Sequence, residues 1–145
     1  MSESTGASRL SVSLVAADRK VWTGQASMVV ARTTEGDVGV LPGHQPILSI
    51  LQPSVVIIRA ADSGGEDVEA VVSGGFLSVA GREVAVLAES VLLPGEVNTD
   101  AARELLNRAR AVEHDAGASK ADKDQADADI RFAEAQLRVA GAGAH

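Results

Sequence analysis

The chain has 145 residues, 46% of them apolar, and carries 13 basic against 20 acidic side chains for a net charge of −7. A chain of this size and apolar content builds one folded domain or two small ones, and its acidity lacks the basic footprint of a nucleic-acid binder. Three aromatics (Trp22, Phe76, Phe132) leave no base-stacking platform, the absence of cysteine excludes disulfides and thiolate metal sites, and three histidines (His44, His114, His145) are too few for a histidine-rich metal cluster.

The first half reads as short strands. Leu10, Val12, Leu14 and Ala16 alternate with Ser11, Ser13 and Val15, the period-2 pattern of a half-buried strand. Asp18-Arg19-Lys20 is turn material, and a separate segment opens with Val21-Trp22-Thr23-Gly24. Further strands are predicted over 26–33, 38–41, 47–51, 54–60, 67–73, 76–80 and 83–87. Gly-, Pro- and Asp-rich breaks separate them, among them Glu35-Gly36-Asp37, Pro42-Gly43, Gln52-Pro53, Ser63-Gly64-Gly65, Gly74-Gly75 and Gly81. Breaks about every 8–12 residues predict an antiparallel β-sandwich or barrel, with no room for the helices of a parallel α/β fold.

The grammar changes near residue 97. Of 19 valines, 17 lie at or before Val97, whereas 14 of 25 alanines lie after it. Valine suits pleated sheets and alanine suits helices, so a β-rich unit over 1–97 precedes a helical unit over 98–145. Ala102, Leu105, Ala109 and Val112 form one helical seam, with Asn98 or Thr99 as N-cap and Gly117 as the stop. Ser119-Lys120-Ala121-Asp122 reads as a capping box, followed by a second seam of Ala126, Ile130, Ala133, Leu137 and Ala140 that ends at Gly141-Ala142-Gly143. The short connection predicts an antiparallel hairpin. Each alanine in place of leucine forgoes roughly 2–3 CH₂-equivalents at about 0.8 kcal/mol apiece, so the hairpin is weakly held.

Chemistry is sparse. Asp37 and His44, with Glu35 nearby, have the residue types of an acid–base pair, but no serine in a G-x-S-x-G setting and no H-x-x-x-H pattern accompanies them. A rigid loop displaying Glu35, Asp37, His44 and Gln45 suits protein contact better. Gly74-Gly75 precedes no helix that would hold a phosphate and reads as turn or bulge glycine. Trp22 reads as packed, and Asp122, Asp124, Asp127 and Asp129 as a solvated helix face rather than a calcium loop. Arg103 and Arg110, seven apart with Asp100 a turn earlier, fit either a phosphate grip or an exposed Asp100–Arg103 salt bridge. No apolar run reaches the roughly 18–20 residues of a membrane span, and Met1-Ser2-Glu3-Ser4-Thr5-Gly6 lacks a secretory pattern, so a soluble intracellular chain is expected.

From Leu10 to Val139 the sequence resembles the epsilon subunit of F-type ATP synthase. The resemblance rests on Trp22-Thr23-Gly24, on the run from Glu35 through Gly43-His44-Gln45-Pro46, on Gly74-Gly75-Phe76-Leu77-Ser78-Val79, on Val86-Leu87-Ala88-Glu89, and on Ala135-Gln136-Leu137-Arg138-Val139, in that order. It implies a sandwich of about ten antiparallel strands followed by a two-helix hairpin. It further implies a non-catalytic rotor subunit, without resident metal or cofactor, on the cytoplasmic face of a bacterial plasma membrane. Expected partners are the gamma subunit and the c-ring, met by Glu35, Asp37, His44 and Gln45, and the alpha and beta subunits when the hairpin extends to inhibit hydrolysis. Some relatives bind ATP through positions matching Glu89, Asp100, Arg103 and Arg110; here Thr99 and Glu104 depart from that pattern, which implies weak ATP binding or none. A free-standing β-sandwich that binds a ligand or protein is the competing reading, and it is poorly served by three aromatics.

Overall fold

The computed structural model describes residues 9–62 and 64–144; the amino-terminal stretch, Ser63 of the predicted turn and His145 lie outside the described residues. Nine strands come first: β1 (Leu10–Val15), β2 (Lys20–Thr33), β3 (Gly36–Val40), β4 (Ile47–Leu51), β5 (Ser54–Ala60), β6 (Val68–Val72), β7 (Gly75–Ala80), β8 (Glu83–Leu87) and β9 (Val91–Leu92). A 3-10 turn (Pro94–Glu96) then leads into helices α1 (Thr99–Glu113) and α2 (Lys120–Ala144).

The predicted segments 21–24 and 26–33 are one strand. Gly24 looks like a break, but a Cβ there would stand 2.6 Å from the Trp22 ring, so the glycine makes room for tryptophan within a continuous strand. That 14-residue strand serves two layers. Its first half pairs with β1 in register Leu10↔Ala26 to Val15↔Lys20, and its second half pairs with β5 and β3. The switch falls at an irregularity between Ala26 and Met28, where the Ser27 hydroxyl donates to the Ala60 carbonyl at 2.8 Å.

Neighbouring strands follow the order β1-β8-β7-β4-β2-β5-β6-β9, and β1 also pairs with β2, so five strands close on themselves. Among the described residues the strands number nine, against the ten that the resemblance implies, and β1 runs parallel to β8. The parallel pair is permitted because the two strands are joined through most of the sandwich rather than by a tight turn. Inward side chains follow the predicted alternation: Leu10, Val12 and Leu14 from β1 pack with Val56 and Ile58 from β5, Leu77 and Val79 from β7, and Val84 and Val86 from β8. Each such side chain stabilises the fold by roughly 1.5–3 kcal/mol.

Asn98 caps α1, its side chain accepting from the Ala101 N–H at 3.0 Å. The helix stops at His114, before Gly117, because the Asp115 carboxylate takes the Gly117 N–H at 2.9 Å and turns the chain. Ser119 caps α2 by accepting from the Asp122 N–H at 3.1 Å. Contrary to the expected stop, α2 continues through Gly141 to Ala144. The seam is alanine as predicted: Ala102 and Ala109 on α1, Ala126 and Ala133 on α2, are buried.

Helix α2 also has a second apolar stripe that the single-seam reading missed. Phe132, Ala135 and Val139 pack on Val55 (β5), Val71 (β6) and Leu92 (β9). The outer face of the β5–β6 layer is thus covered by the hairpin, which explains why Ala70, Val71 and Val72 are buried in succession.

Candidate functional site

The segment from Glu35 to Gln45 is spread along a strand, not gathered in one loop. Glu35 sits on the β2–β3 turn, where the Thr33 hydroxyl accepts its N–H at 3.1 Å and donates to the Gly36 carbonyl at 2.7 Å. Asp37 is the second residue of β3, and its carboxylate takes the Arg32 Nε–H at 2.8 Å across the pair Arg32↔Asp37. That contact holds the guanidinium above its ordinary pKa, chiefly through the hydrogen bond. His44 lies beyond the other end of β3: its N–H donates to the Leu41 carbonyl at 3.0 Å, and its ring Nδ1–H donates to the Gln45 carbonyl at 2.7 Å. Val38, Gly39 and Val40 intervene at roughly 3.3 Å per residue, so Asp37 and His44 do not form an acid–base pair. Among the described residues no group of His, Cys, Asp and Glu is arranged to hold a metal.

The four nucleotide candidates do not converge either. Glu89 lines a groove of about 380 Å³ beside Asp18, Arg19 and Val91. Asp100 and Arg103 form a solvent-exposed pair at 3.8 Å on the first turns of α1. Arg110 reaches across the hairpin to Glu134 at 3.4 Å. Seven residues of helix separate the two arginines by about 10 Å along the axis. A phosphate would have to displace Glu134 and approach exposed Glu104, so the geometry offers no ready anion cradle.

The opposite layer presents a feature that the sequence reading missed. Ile50 pairs with Phe76, Phe76 with Leu87, and Leu87 with Val15, a row of apolar side chains across β4, β7, β8 and β1. Ile50, Phe76 and Leu87 are 55%, 48% and 43% exposed, and Leu48, next on β4, is 72% exposed. The signal was present in Ile47-Leu48-Ser49-Ile50-Leu51, where four of five positions are apolar although burying one face needs only alternate ones. Glu35 stands at the margin of this face, lining a small recess with Leu48 and Ile50. An apolar surface that crosses four strands has the character of an interaction site.

Among the described residues the sandwich therefore has two unlike outer faces, one covered by its own hairpin and one bare. Gln52, between β4 and β5, also accepts from Arg131 of α2 at 2.9 Å. Farther along, a cavity of about 430 Å³ lies between Arg138–Val139 and a sheet floor of Val30, Val55 and Ile57. The hairpin docks through a small apolar patch that is incompletely filled. No helix among the described residues is long and apolar enough to cross a membrane.

Residues 9–94 match the family described as ATP synthase, delta/epsilon chain, beta-sandwich domain. The chain is 51% identical over 114 residues to the ATP synthase epsilon chain of Streptomyces avermitilis, covering 79% of this chain and 90% of that one. Its identity to the ATP synthase epsilon chain of Nocardia farcinica is 39% over 131 residues, covering 90% and 88%. The fold matches a chain in the cryo-EM structure of the Euglena gracilis mitochondrial ATP synthase OSCP/F1/c-ring assembly, with a TM-score of 0.75, 24% identity, and coverage of 95% of this chain and 82% of that chain. With the sandwich matched over most of its length and relatives this similar, the chain belongs to the ATP synthase epsilon chain family.

Proposed function

We propose that this non-catalytic subunit is a connector of the rotor, seating gamma on its bare apolar face and passing torque between gamma and the c-ring. The observation that carries this reading is the row Val15–Leu87–Phe76–Ile50 on a sandwich five of whose strands close on themselves. A closed, valine-packed sandwich resists shear, as a torque-bearing link requires, and an apolar row supplies the core of a stable interface. Glu35 and Asp37 lie at one end of β3 and His44 and Gln45 beyond the other. Glu35, Asp37 and His44 are assigned to the polar loops of the c-ring, and Gln45 to the same border between c-ring and gamma. The subunit sits peripherally on the cytoplasmic face of a bacterial plasma membrane, held there by the complex.

The hairpin is the regulatory part of this reading. Docked, it covers the β5–β6 face through Phe132, Ala135 and Val139; released and extended, it reaches the alpha and beta subunits and obstructs rotation in the hydrolysis direction. An alanine seam and a small docking patch support a switch whose two states differ by only a few kcal/mol. ATP is not assigned as a ligand, since Arg110 is engaged by Glu134 and Arg103 lies beside Asp100.

Gamma binding by charged substitutions on the bare face tests the connector reading. Phe76→Asp or Leu87→Asp replaces a partly exposed side chain and leaves the interior intact. Affinity for purified gamma is expected to fall by about tenfold or more, the loss typical of an interface centre. Unchanged affinity in both variants overturns the assignment of this face.

A further inference from the structure

The linker between sandwich and hairpin is fastened at one point by charge. Glu96 ends the 3-10 turn, and its carboxylate accepts from the Leu93 N–H at 2.9 Å. The same carboxylate takes Arg19 Nη2 at 3.1 Å through one oxygen and lies 3.0 Å from it through the other. Arg19 arrives from the β1–β2 connection, 77 residues away in sequence, and its Nη2 also donates to the Val91 carbonyl of β9 at 3.4 Å. One guanidinium therefore holds the last strand and the linker turn together, three residues before α1 begins.

We propose that the Arg19–Glu96 pair is a latch that fixes the direction in which the linker leaves the sandwich and so biases the hairpin toward its docked state. The inference rests on the reading of the hairpin as a releasable element and names the contact that controls its release. Position is what separates this pair from the others. Arg110–Glu134 joins parts of the hairpin and travels with it when it moves, and Arg131, paired with Asp127 on its own helix, meets the sandwich only at the neutral Gln52. Arg19–Glu96 joins the sandwich to the pivot, so swinging α1 and α2 away rotates the turn that carries Glu96. Both side chains are partly exposed, at 44% and 37%, so the pair breaks and re-forms readily. A contact of that strength does little for a stable core, yet it shifts a nearly balanced equilibrium measurably.

The test uses the full chain, which contains no native cysteine. Donor and acceptor dyes on cysteines introduced at exposed Glu83 and Ala116 report the separation of sandwich and hairpin in single molecules. Arg19→Gln and Glu96→Gln are each expected to raise the open fraction about two- to fivefold, the range for one exposed ion pair. The double variant is expected to open no further than either single one, and the swap Arg19→Glu with Glu96→Arg to restore docking in part. An open fraction unmoved by both single variants, or single effects that simply multiply in the double variant, overturns the latch. ATPase of the reconstituted complex separates this outcome from failure of the brake. An open fraction that rises while hydrolysis is unchanged upholds the latch and removes the brake, whereas an unmoved open fraction removes the latch whatever the hydrolysis rate.

Discussion

A methyl group on Gly75 has nowhere to go. The residue has φ +105°, and a Cβ built there would overlap the Leu87 carbonyl oxygen and approach the Ala88 Cα to 2.8 Å. The obstacle is backbone on both counts, so no rotamer change relieves it. Gly36 makes the contrast: its φ is +124°, but nothing lies within 4 Å of its added Cβ. Gly36→Ala meets strain from φ alone, about 1–2 kcal/mol, while Gly75→Ala adds the cost of parting β7 from β8 and should destabilise by roughly 3–4 kcal/mol. Urea unfolding of both variants checks the ordering, and a smaller loss for Gly75→Ala would remove the steric argument. The sequence marked both positions as turns through their Gly-rich surroundings. It held no sign that one glycine is needed for space as well as conformation, because the atoms it must avoid come from another strand.

At the scale of elements, the connection between β5 and β6 is closed by a carboxylate. Asp67 accepts from the Ala60 N–H through Oδ1 at 2.9 Å and from Arg59 Nη1 through Oδ2 at 2.9 Å. The backbone hydrogen bond first, and the Arg59 contact second, hold its pKa below the usual carboxylate range. Glu96 is lowered in the same direction, by Arg19 first and by the Leu93 N–H second. A carboxylate with a depressed folded pKa stabilises the fold above its unfolded value, about 4, and that contribution fades as pH falls through the lower folded value. Unfolding stability is therefore expected to be insensitive to these groups from pH about 5 to 7 and to drop below about 4. Asp67→Asn should flatten part of that acid slope; an unaltered slope in urea titrations at several pH values would show that Asp67 is not responsible. The same elements show what the sequence could and could not tell. Period-2 runs such as Leu10 to Leu14 located strands well, because one buried face writes itself as alternation. The union of the two segments across Gly24 was hidden, since the reason for that glycine is the Trp22 ring lying over it. The second stripe of α2 was visible as Phe132, Ala135 and Val139, but a helix that serves two neighbours defeats a search for one seam. Of the site, the residue types between Glu35 and Gln45 were legible, whereas their dispersal along β3 was not, because only strand register decides it.

For the whole molecule, the decisive property is that the interior of the sandwich owes nothing to the helices. The main core cluster draws its buried members from β1 to β9 and their connections, while the helices meet the sheet through the separate patch around Val71, Ala135 and Val139. Removing residues from 98 onward thus uncovers Val55, Val71 and Leu92 without opening the core. The bare face with Phe76 and Leu87 is also untouched by the cut, since it belongs to the opposite layer. A truncated chain is accordingly expected to fold, to bind gamma with unchanged affinity, and to assemble into the complex. On the proposed reading it loses the element that changes position, so ATP hydrolysis by the assembled complex should rise above that of the full-length assembly. Unimpaired assembly is what gives the measurement its force, because a rate change then reports the hairpin rather than a damaged rotor. Should the truncated complex assemble fully and hydrolyse ATP at the full-length rate, the hairpin is no brake in this protein, and the alanine seam calls for another explanation.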